Sequence, residues 1–420
     1  MTTEAPEGWR ILRLGEVASV VGGGTPSREN AAYWNGGIPW ATPTDITNLR
    51  GHYIETTAST ISEQGLATSS ACLLPTGTVL MTSRATIGAC AIARRPMATN
   101  QGFQSLIPSA TTSPEFLLYV VSESRDRLTR LAGGSTFLEV SKKSVVSLPI
   151  MVPPLPEQRK IAAILSSVDD AIETTQAVVD QLQVVERAMM AELLTRGVPG
   201  RPTRIVMTEI GEVPEGWRVV KLGDVCERMF VGIAQSATHA YVASEGVPII
   251  RTTNVRPNRL QSEGVLQISS AFAKEMRSKA LRAGDVLSAR TGNPGTSVVV
   301  PPEYDGAQCF TLLVSRPGPD LDARYLCHLM NSALGERIVT RGQVGGAQQN
   351  LNVGVFKEAL IPLPPRPEQE QIAFALDAVH ARKEKEENVL RQLDRLRSSL
   401  MSVLLAGEVR VAVDERENAA

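Results

Sequence analysis

Side chains able to hydrogen-bond the edges of nucleic-acid bases recur in loops at two places along this 420-residue chain. Arginine offers a fork of donors, and asparagine or glutamine offers a donor beside an acceptor. In the first stretch they are Thr42, Thr44 and Asp45, then Ser83, Arg84 and Thr86, then Asn100 and Gln101. In the second, at matching places, they are Arg251, Thr253, Asn254 and Arg256, then Arg290 and Asn293, then Gln343, Gln348, Gln349 and Asn350, so that the loop Asn100–Gln104 is matched with Gln343–Asn350. Lys142 and Lys143, flanked by Ser141 and Ser144, are of the kind that holds phosphates. Taken singly, each is equally an ordinary solvated side chain. Arg84 and Arg290 form a pair: each follows a strand-like run opened by Gly77 or Gly284 and precedes Gly88 or Gly295. Equivalent placement suggests a shared task, either contact with a nucleic acid or packing of the stem with capping of nearby carbonyls.

Residue types for catalysis are not arranged for it. There is no HExxH, no GxSxG, no nucleotide-binding glycine fingerprint and no Asn/Asp-Pro-Pro-Tyr/Phe signature of amino-methyltransferases. Gly22–Ser27 lacks the Lys-Ser/Thr ending of a phosphate loop and reads as a strand-linking turn. His52, His239, His328 and His380 are too dispersed for a metal spacing and read as surface or packing residues. Cys72, Cys90, Cys226, Cys309 and Cys327 include no CxxC pair, so buried free thiols are expected rather than a disulfide framework or zinc site.

Composition is that of a globular protein, 43% hydrophobic with a net charge of −1. No apolar run approaches a membrane span, and Met1–Arg10 lacks the layout of a secretory signal, so a cytoplasmic location is expected. Lys and Arg exceed Asp and Glu by 12 to 11 over residues 1–152 and by 18 to 15 over 201–363. They fall short by 4 to 7 over 153–200 and by 9 to 11 over 364–420. This mild bias permits nucleic-acid binding by the long segments without requiring it.

The elements that must position the loops occur twice, with a period of about 210 residues. Glu7-Gly8-Trp9-Arg10 returns as Glu215-Gly216-Trp217-Arg218, and Leu14-Gly15-Glu16-Val17 as Leu222-Gly223-Asp224-Val225. Gly77-Thr78-Val79-Leu80 returns as Gly284-Asp285-Val286-Leu287. Pro153-Pro154-Leu155-Pro156-Glu157-Gln158 returns as Pro364-Pro365-Arg366-Pro367-Glu368-Gln369. Between these anchors the copies diverge, as one scaffold carrying two surfaces would. The front part of each copy mixes short strands (Thr78–Thr82, Val286–Ala289, Ser297–Val300) with short helices (Pro114–Ser122, Ala323–Asn331).

Each copy then ends in a segment without internal Gly or Pro. Ile161, Leu165, Val168, Ile172, Thr175, Val179, Leu182, Glu186, Met189 and Leu193 form a ladder of alternating steps of 4 and 3, mostly apolar. Ile372, Leu376, Val379, Lys383, Glu386, Leu390, Leu393, Arg397, Leu400 and Leu404 form the second. A seven-residue period sustained this far is a coiled-coil seam, the alternative being helices packed separately on their own domains. Pro156 and Pro367 suit the first helical turn; Gly197 and Gly407 suit the stops. Connectivity favours an antiparallel pair, with helices of about 60 Å holding the front parts apart in pseudo-twofold fashion.

In order along the chain, Gly23-Gly24-Thr25-Pro26, Tyr33-Trp34, Gly37-Ile38-Pro39-Trp40, Thr44-Asp45-Ile46, the Pro-Pro-Leu-Pro-Glu-Gln helix start and Ile210-Gly211-Glu212-Val213-Pro214-Glu215-Gly216-Trp217 closely resemble the specificity subunits of type I restriction–modification systems. Duplication and order make the match specific. The second copy departs from it, with Phe230-Val231-Gly232-Ile233 and Ile249-Ile250 replacing the Gly-Gly-Thr-Pro and Trp-containing strand. The resemblance implies an α+β protein with two mixed α/β target recognition domains separated by two long helices paired as an antiparallel coiled coil. The domains expected are target recognition domains at 1–152 and 201–363, spacer helices at 153–200 and 364–410, and a disordered tail at 411–420. It implies a non-catalytic reader of a bipartite duplex-DNA target, docked on two methyltransferase subunits and through them on restriction/translocase subunits. S-adenosylmethionine, ATP and Mg²⁺ would sit on those partners, and the loops above would contact DNA. Two other readings are a self-contained methyltransferase and a coiled-coil DNA-binding or adaptor protein without a restriction partner. Cofactor titration separates the first of these, and salt-dependent duplex binding the second.

Overall fold

The computed structural model describes residues 5–133, 138–200, 204–341 and 351–412. The chain divides into two compact units, Met1–Ala177 with Glu387–Ala420, and Val178–Glu386.

In the first unit the strands are β1 (Arg10–Arg13), β2 (Ala18–Gly22), β3 (Trp34–Ala41), β4 (Tyr53–Ile54), β5 (Ser59–Ile61), β6 (Val79–Met81), β7 (Cys90–Ala93), β8 (Ala98–Thr99), β9 (Gln104–Pro108) and β10 (Pro149–Val152). They build sheets in the orders β2-β9-β6-β7-β4 and β5-β3-β8, with β1 antiparallel to β10. Helix α1 (Pro114–Glu123) covers the larger sheet and is buried from Phe116 through Val121. Its start is fixed by Ser113, whose hydroxyl accepts from Phe116 N, and by Pro114 in the first turn.

Helix α2 (Leu155–Arg196) follows at once. The second unit adds β11 (Ile205–Thr208), β12 (Gly211–Pro214), β13 (Arg218–Lys221), β14 (Cys226–Val231), β15 (Tyr241–Val242), β16 (Val247–Ile250), β17 (Val255–Arg256), β18 (Arg259–Leu260), β19 (Leu266–Ile268), β20 (Val286–Ser288), β21 (Ser297–Val299), β22 (Gln308–Cys309), β23 (Leu313–Pro317) and β24 (Leu360–Leu363). Helix α3 (Ala323–Met330) is the counterpart of α1, and α4 (Arg366–Leu405) is the second long helix.

The two units share one frame. The order β14-β23-β20-β21 repeats β2-β9-β6-β7, and β19-β16-β22 repeats β5-β3-β8, including one parallel pair in each. Strands β13 and β24 repeat the closing pair β1 and β10. Among the described residues hairpin β11–β12 and strand β15 have no counterpart in the first unit, while hairpin β17–β18 lies beside β21 at the edge where β4 pairs with β7.

The repeated sequence anchors turn out to be one latch. In the first unit Trp9 Nε1 donates to Glu157 Oε2 at 3.1 Å, and Arg410 grips the same carboxylate at 2.8 and 3.0 Å. Ser113 N donates to Gln158 Oε1 at 2.9 Å, while Gln158 Nε2 donates to Thr111 O at 3.1 Å and Pro153 O at 2.9 Å. In the second unit Trp217 Nε1 meets Glu368 at 3.3 Å, and Gln369 repeats the other bonds with Asp322 N, Asp320 O and Pro364 O. Each Glu-Gln pair thus ties the start of a long helix to the opening Trp and to the loop before α1 or α3. The glutamine uses its whole inventory, one acceptor and two donors, which no other side chain of that length supplies.

Within each unit a portion of α2 lies against a portion of α4, running in the opposite direction. Ile161 and Leu165 share a core with Met401 and Leu404, and Asp169 bonds Arg397. In the second unit Leu193 and Leu194 share a core with Ile372, Ala373 and Leu376, and Glu186 bonds His380 and Lys383. Every position of both heptad ladders is buried or half-buried. Gly197 and Gly407 follow the helices at positive φ, where a Cβ is unfavourable.

Two expectations need correction. Cys72 is exposed, and only Cys309 and Cys327 are fully buried. Burial pushes the thiols of Cys90, Cys226, Cys309 and Cys327 up to about 12. The histidines are more than packing residues: His52, His328 and His380 each bond a helix carboxylate, Asp169, Asp377 and Glu186, at 2.7, 2.7 and 2.8 Å.

Candidate nucleic-acid interface

In the first unit the separate sequence loops are brought together by backbone bonds at one end of the sheets. Asn100 N donates to Ala41 O at 3.0 Å, Gly24 N to Thr99 O at 2.9 Å, Ser83 N to Gly102 O at 2.7 Å, and Val140 N to Ser83 O at 3.0 Å. A Cβ at Gly23 would sit 1.9 Å from Asn100 O, so only glycine lets these two loops touch.

The candidate side chains divide into those already committed and those available. Thr42 N and Oγ1 both donate to Asp45 Oδ2, at 2.8 and 2.6 Å, and Asp45 Oδ1 accepts from Ala58 N at 2.9 Å, so this pair caps its helix. Asn100 Oδ1 accepts from Gly102 N at 2.8 Å and fixes its own turn. Ser83 is fully buried. Arg84 Nη2 meets Glu139 at 2.9 Å, both side chains partly exposed. The Oγ of Ser83, Nε of Arg84 and Oγ1 of Thr86 are buried without a partner among the described residues. Thr44, Gln101, Lys142 and Lys143 face solvent, Gln101 bonded to Thr25.

Two tryptophans hold the Gly24–Arg28 loop against this wall. Trp40 Nε1 donates to Gly24 O at 2.9 Å and Trp34 Nε1 to Ser27 O at 3.0 Å, with the rings edge-to-face at 5.1 Å. The Arg28 guanidinium lies over them, 5.1 Å from the Trp34 centroid and 6.0 Å from that of Trp40. Arg28 is exposed and has no carboxylate partner among the described residues. Sequence reasoning missed it. The signal was the arginine two residues after the Gly-Gly-Thr-Pro run, legible only once the tryptophans are known to face that loop.

The second unit repeats the wall with different residues. Phe310 N donates to Ile250 O at 2.8 Å and Ile233 N to Cys309 O at 2.8 Å, as Asn100 and Gly24 do in the first. The counterpart of Asn100-Gln101 is therefore Phe310-Thr311, which corrects the matching of Asn100–Gln104 with Gln343–Asn350. Gln343, Gln348, Gln349 and Asn350 lie outside the described residues. Thr311 sits at φ 55°, a strained conformation for a β-branched residue and another position that sequence reasoning missed. Asn254 is buried and bonds Arg251 N, Gln261 O and Glu263 O. Arg251 reaches Gly264 O at 2.9 Å, and Arg256 reaches Val255 O at 3.1 Å. Arg290 Nε donates to Leu351 O at 3.0 Å, so it caps a carbonyl as the structural alternative anticipates. Thr253 and Asn293 are exposed.

Among the described residues no group of three or more His, Cys, Asp or Glu is placed to hold a metal ion, and no helix is long and apolar enough to cross a membrane. What the geometry presents is a repeated α/β frame, two unlike loop walls on it, and a long helix tied to each frame through the same Trp-Glu-Gln bonds. That is the class of tandem two-domain proteins in which scaffold is shared and surface varies. A family model described as type I restriction modification DNA specificity domain matches residues 6–184 and again 214–395. The chain belongs to this family. The type I restriction enzyme MjaIX specificity subunit of Methanocaldococcus jannaschii is 27% identical over 97% of this chain and 94% of its own length. The MjaVIII specificity subunit of the same organism is 26% identical over 70% of each. The solved S subunit of a type I restriction–modification system from M. genitalium superposes with a TM-score of 0.62 over 96% of this chain and 97% of its own, at 12% identity, a likeness of fold.

Proposed function

We propose that this chain is the DNA-sequence specificity subunit of a type I restriction–modification complex. Each front part reads one half of a bipartite duplex target. The carrying observation is the repeat itself: the same Trp-Glu-Gln latch and the same core sheet order support two loop walls that share almost no side chains. A protein selected to bind one thing twice would repeat its surface as well as its frame. The proposed contacts in the first half are Thr44, Arg84, Gln101, Lys142 and Lys143, joined by Arg28. In the second they are Thr253, Arg256, Asn293 and the loop at Thr311, together with Gln343, Gln348, Gln349 and Asn350. Ser83, Thr42, Asp45, Asn100, Arg251, Asn254 and Arg290 would act by shaping those loops.

The long helices, paired as an antiparallel coiled coil, would set the gap between half-sites and carry two methyltransferase subunits, with restriction/translocase subunits joining through them. The chain would have no catalytic step of its own and would act in the cytoplasm. S-adenosylmethionine, ATP and Mg²⁺ would be bound by the partners. The test is methylome sequencing of cells expressing this chain with its methyltransferase subunit. A bipartite, asymmetric motif methylated only when this chain is present is the expected result. An active methyltransferase whose motif is unchanged by this chain would refute the proposal.

A further inference from the structure

The apolar seams of α2 and α4 are close to copies of one another. At the offset that carries Glu157 onto Glu368, Ile161 falls on Ile372, Leu165 on Leu376, Val168 on Val379, Leu182 on Leu393 and Leu193 on Leu404. A seam this repetitive offers α2 no apolar reason to prefer α4 over a second α2. The polar interruptions do differ. In the first unit Asp169 of α2 bonds Arg397 of α4. In the second Glu186 of α2 bonds Lys383 and His380 of α4. At the same offset Asp169 falls on His380 and Glu186 on Arg397, so these are equivalent layers of the repeat. Yet the acid stands on α2 in both, and the base on α4 in both.

This arrangement has a consequence for pairing between copies. If two α2 helices met antiparallel in the register seen here, Asp169 of one would face Glu186 of the other, twice over. If two α4 helices met, Arg397 would face Lys383 and His380, twice over. Asp169 would keep His52 and Tyr119 of its own unit but lose Arg397, and Glu186 would lose both its bases. With 15% and 9% of their side-chain surface exposed, the opposed carboxylates would be poorly screened. Only α2 against α4 satisfies both layers; the remaining charged position of the seam, Glu386, is paired on its own helix by Arg382 at 2.7 Å and keeps that partner in any pairing.

We propose that these two layers are a pairing code by which each long helix accepts the other long helix and rejects a second copy of itself. The partner selected for α2 is α4, and the complex excluded is the like-with-like dimer of two chains. One molecule then keeps its two unlike loop walls together, which a target with two different halves requires. Opposed charge serves here as the repulsive element that specificity between near-identical seams needs.

The code makes an unusual demand that can be tested in the full chain. Exchanging one layer, Glu186→Lys with Lys383→Glu, keeps an ion pair in every layer of the α2–α4 pairing. It also makes each helix self-complementary, since Asp169 would now face a lysine and Arg397 a glutamate. His380→Gln is added to this chain and to an otherwise unchanged control. Two differently tagged copies of each are mixed, unfolded in urea and refolded together, then captured on one tag and quantified by the other. The expected result is at least about ten-fold more mixed-tag dimer for the exchanged chain than for the control. Exchange of intact domains between copies by α2–α4 pairing contributes equally to both arms and cancels. Equal dimer in both arms, with matching circular dichroism and melting, overturns the code. If the exchanged chain does not refold, the neutral variant Glu186→Gln, Lys383→Gln, His380→Gln replaces it. A smaller rise is expected there, and no rise overturns the code equally.

Discussion

Replacing Gln158 with methionine keeps side-chain length and removes three hydrogen bonds at a site that is 1% exposed. Ser113 N loses its acceptor in a buried place, which costs about 1–3 kcal/mol. The bonds to Thr111 O and Pro153 O contribute about 1 kcal/mol each, though a carbonyl deprived of one partner suffers less than an orphaned N–H. The loss is about 3 kcal/mol from a unit whose whole stability is of order 5–15 kcal/mol. Hydrogen exchange followed by mass spectrometry on the full chain reads the two units separately. Peptides spanning Leu14–Val17 and Phe116–Val121 should exchange about a hundred-fold faster, while those spanning Ile361–Leu376 keep their protection. Gln369→Met should give the mirror result. Gln158→Glu should be worse than methionine, because a carboxylate brings acceptors against two carbonyls where two donors stood. If Gln158→Met changes exchange by less than ten-fold, or if both units loosen together, the latch is not what ties helix to domain.

The carboxyl of Glu186 resists ionisation through burial, but bonds from His380 and Lys383 outweigh that and hold it down to about 2. Its folded value lies below the unfolded one, so its stabilisation is complete above about pH 4.5 and is lost as pH falls toward 2. Glu186→Gln should therefore lower stability at pH 7 by roughly 2 kcal/mol and flatten the acid limb of a pH-dependent urea titration; an unchanged limb would show the layer to be solvated. Arg28→Ala should weaken binding of the methyltransferase complex to its target by roughly 1–3 kcal/mol in competition assays, and equal affinity would place Arg28 away from DNA. Exchanging residues 1–152 for another target recognition domain should change one half of the methylated motif, and a change in both halves would contradict modular reading. Inserting four residues within 157–196 adds about 6 Å of rise and should alter the gap between half-sites where activity survives; active insertions with a constant gap would contradict the spacer role.

The long helices were legible because periodicity of 3 and 4 over many turns has one structural solution, and α2 and α4 begin within two residues of the positions their prolines indicate. The repeat was legible too, but its meaning was not. Glu7-Gly8-Trp9 and Pro-Glu-Gln lie far apart in sequence, and only the antiparallel β1–β10 pair brings Trp9 against Glu157. The base-type loops were found by composition, which cannot tell a side chain spent on its own turn from one that is free. Asp45, Asn100 and Asn254 are spent, for the reason that makes short polar residues common in turns: they satisfy backbone donors a few residues away. Arg28 was overlooked because its position depends on two tryptophans of a following strand. The matching of Asn100–Gln104 with Gln343–Asn350 rests on order along each copy, whereas sheet register sets Phe310-Thr311 in the place of Asn100-Gln101.

Glu186, Lys383 and Arg397 are three of the five polar positions in the two ladders, with Thr175 and Glu386, and counted by composition they are defects in a coiled-coil pattern. The structure makes them partners, Glu186 with Lys383 and Arg397 with Asp169 just off the ladder. An interruption on one helix is therefore informative only when read against the interruption that faces it. The same holds for the whole chain. Duplication supplies a frame that can be latched and paired twice with one set of rules, and that economy creates a hazard, because identical parts can pair with copies of themselves. A reader of two unlike half-sites must break the symmetry in two places. It does so at the loop walls, where Asn100-Gln101 stands against Phe310-Thr311, and along the seam, where acid stands on one helix and base on the other. Under the two proposals the first difference would shape what is read, and the second would keep the two readings in one molecule.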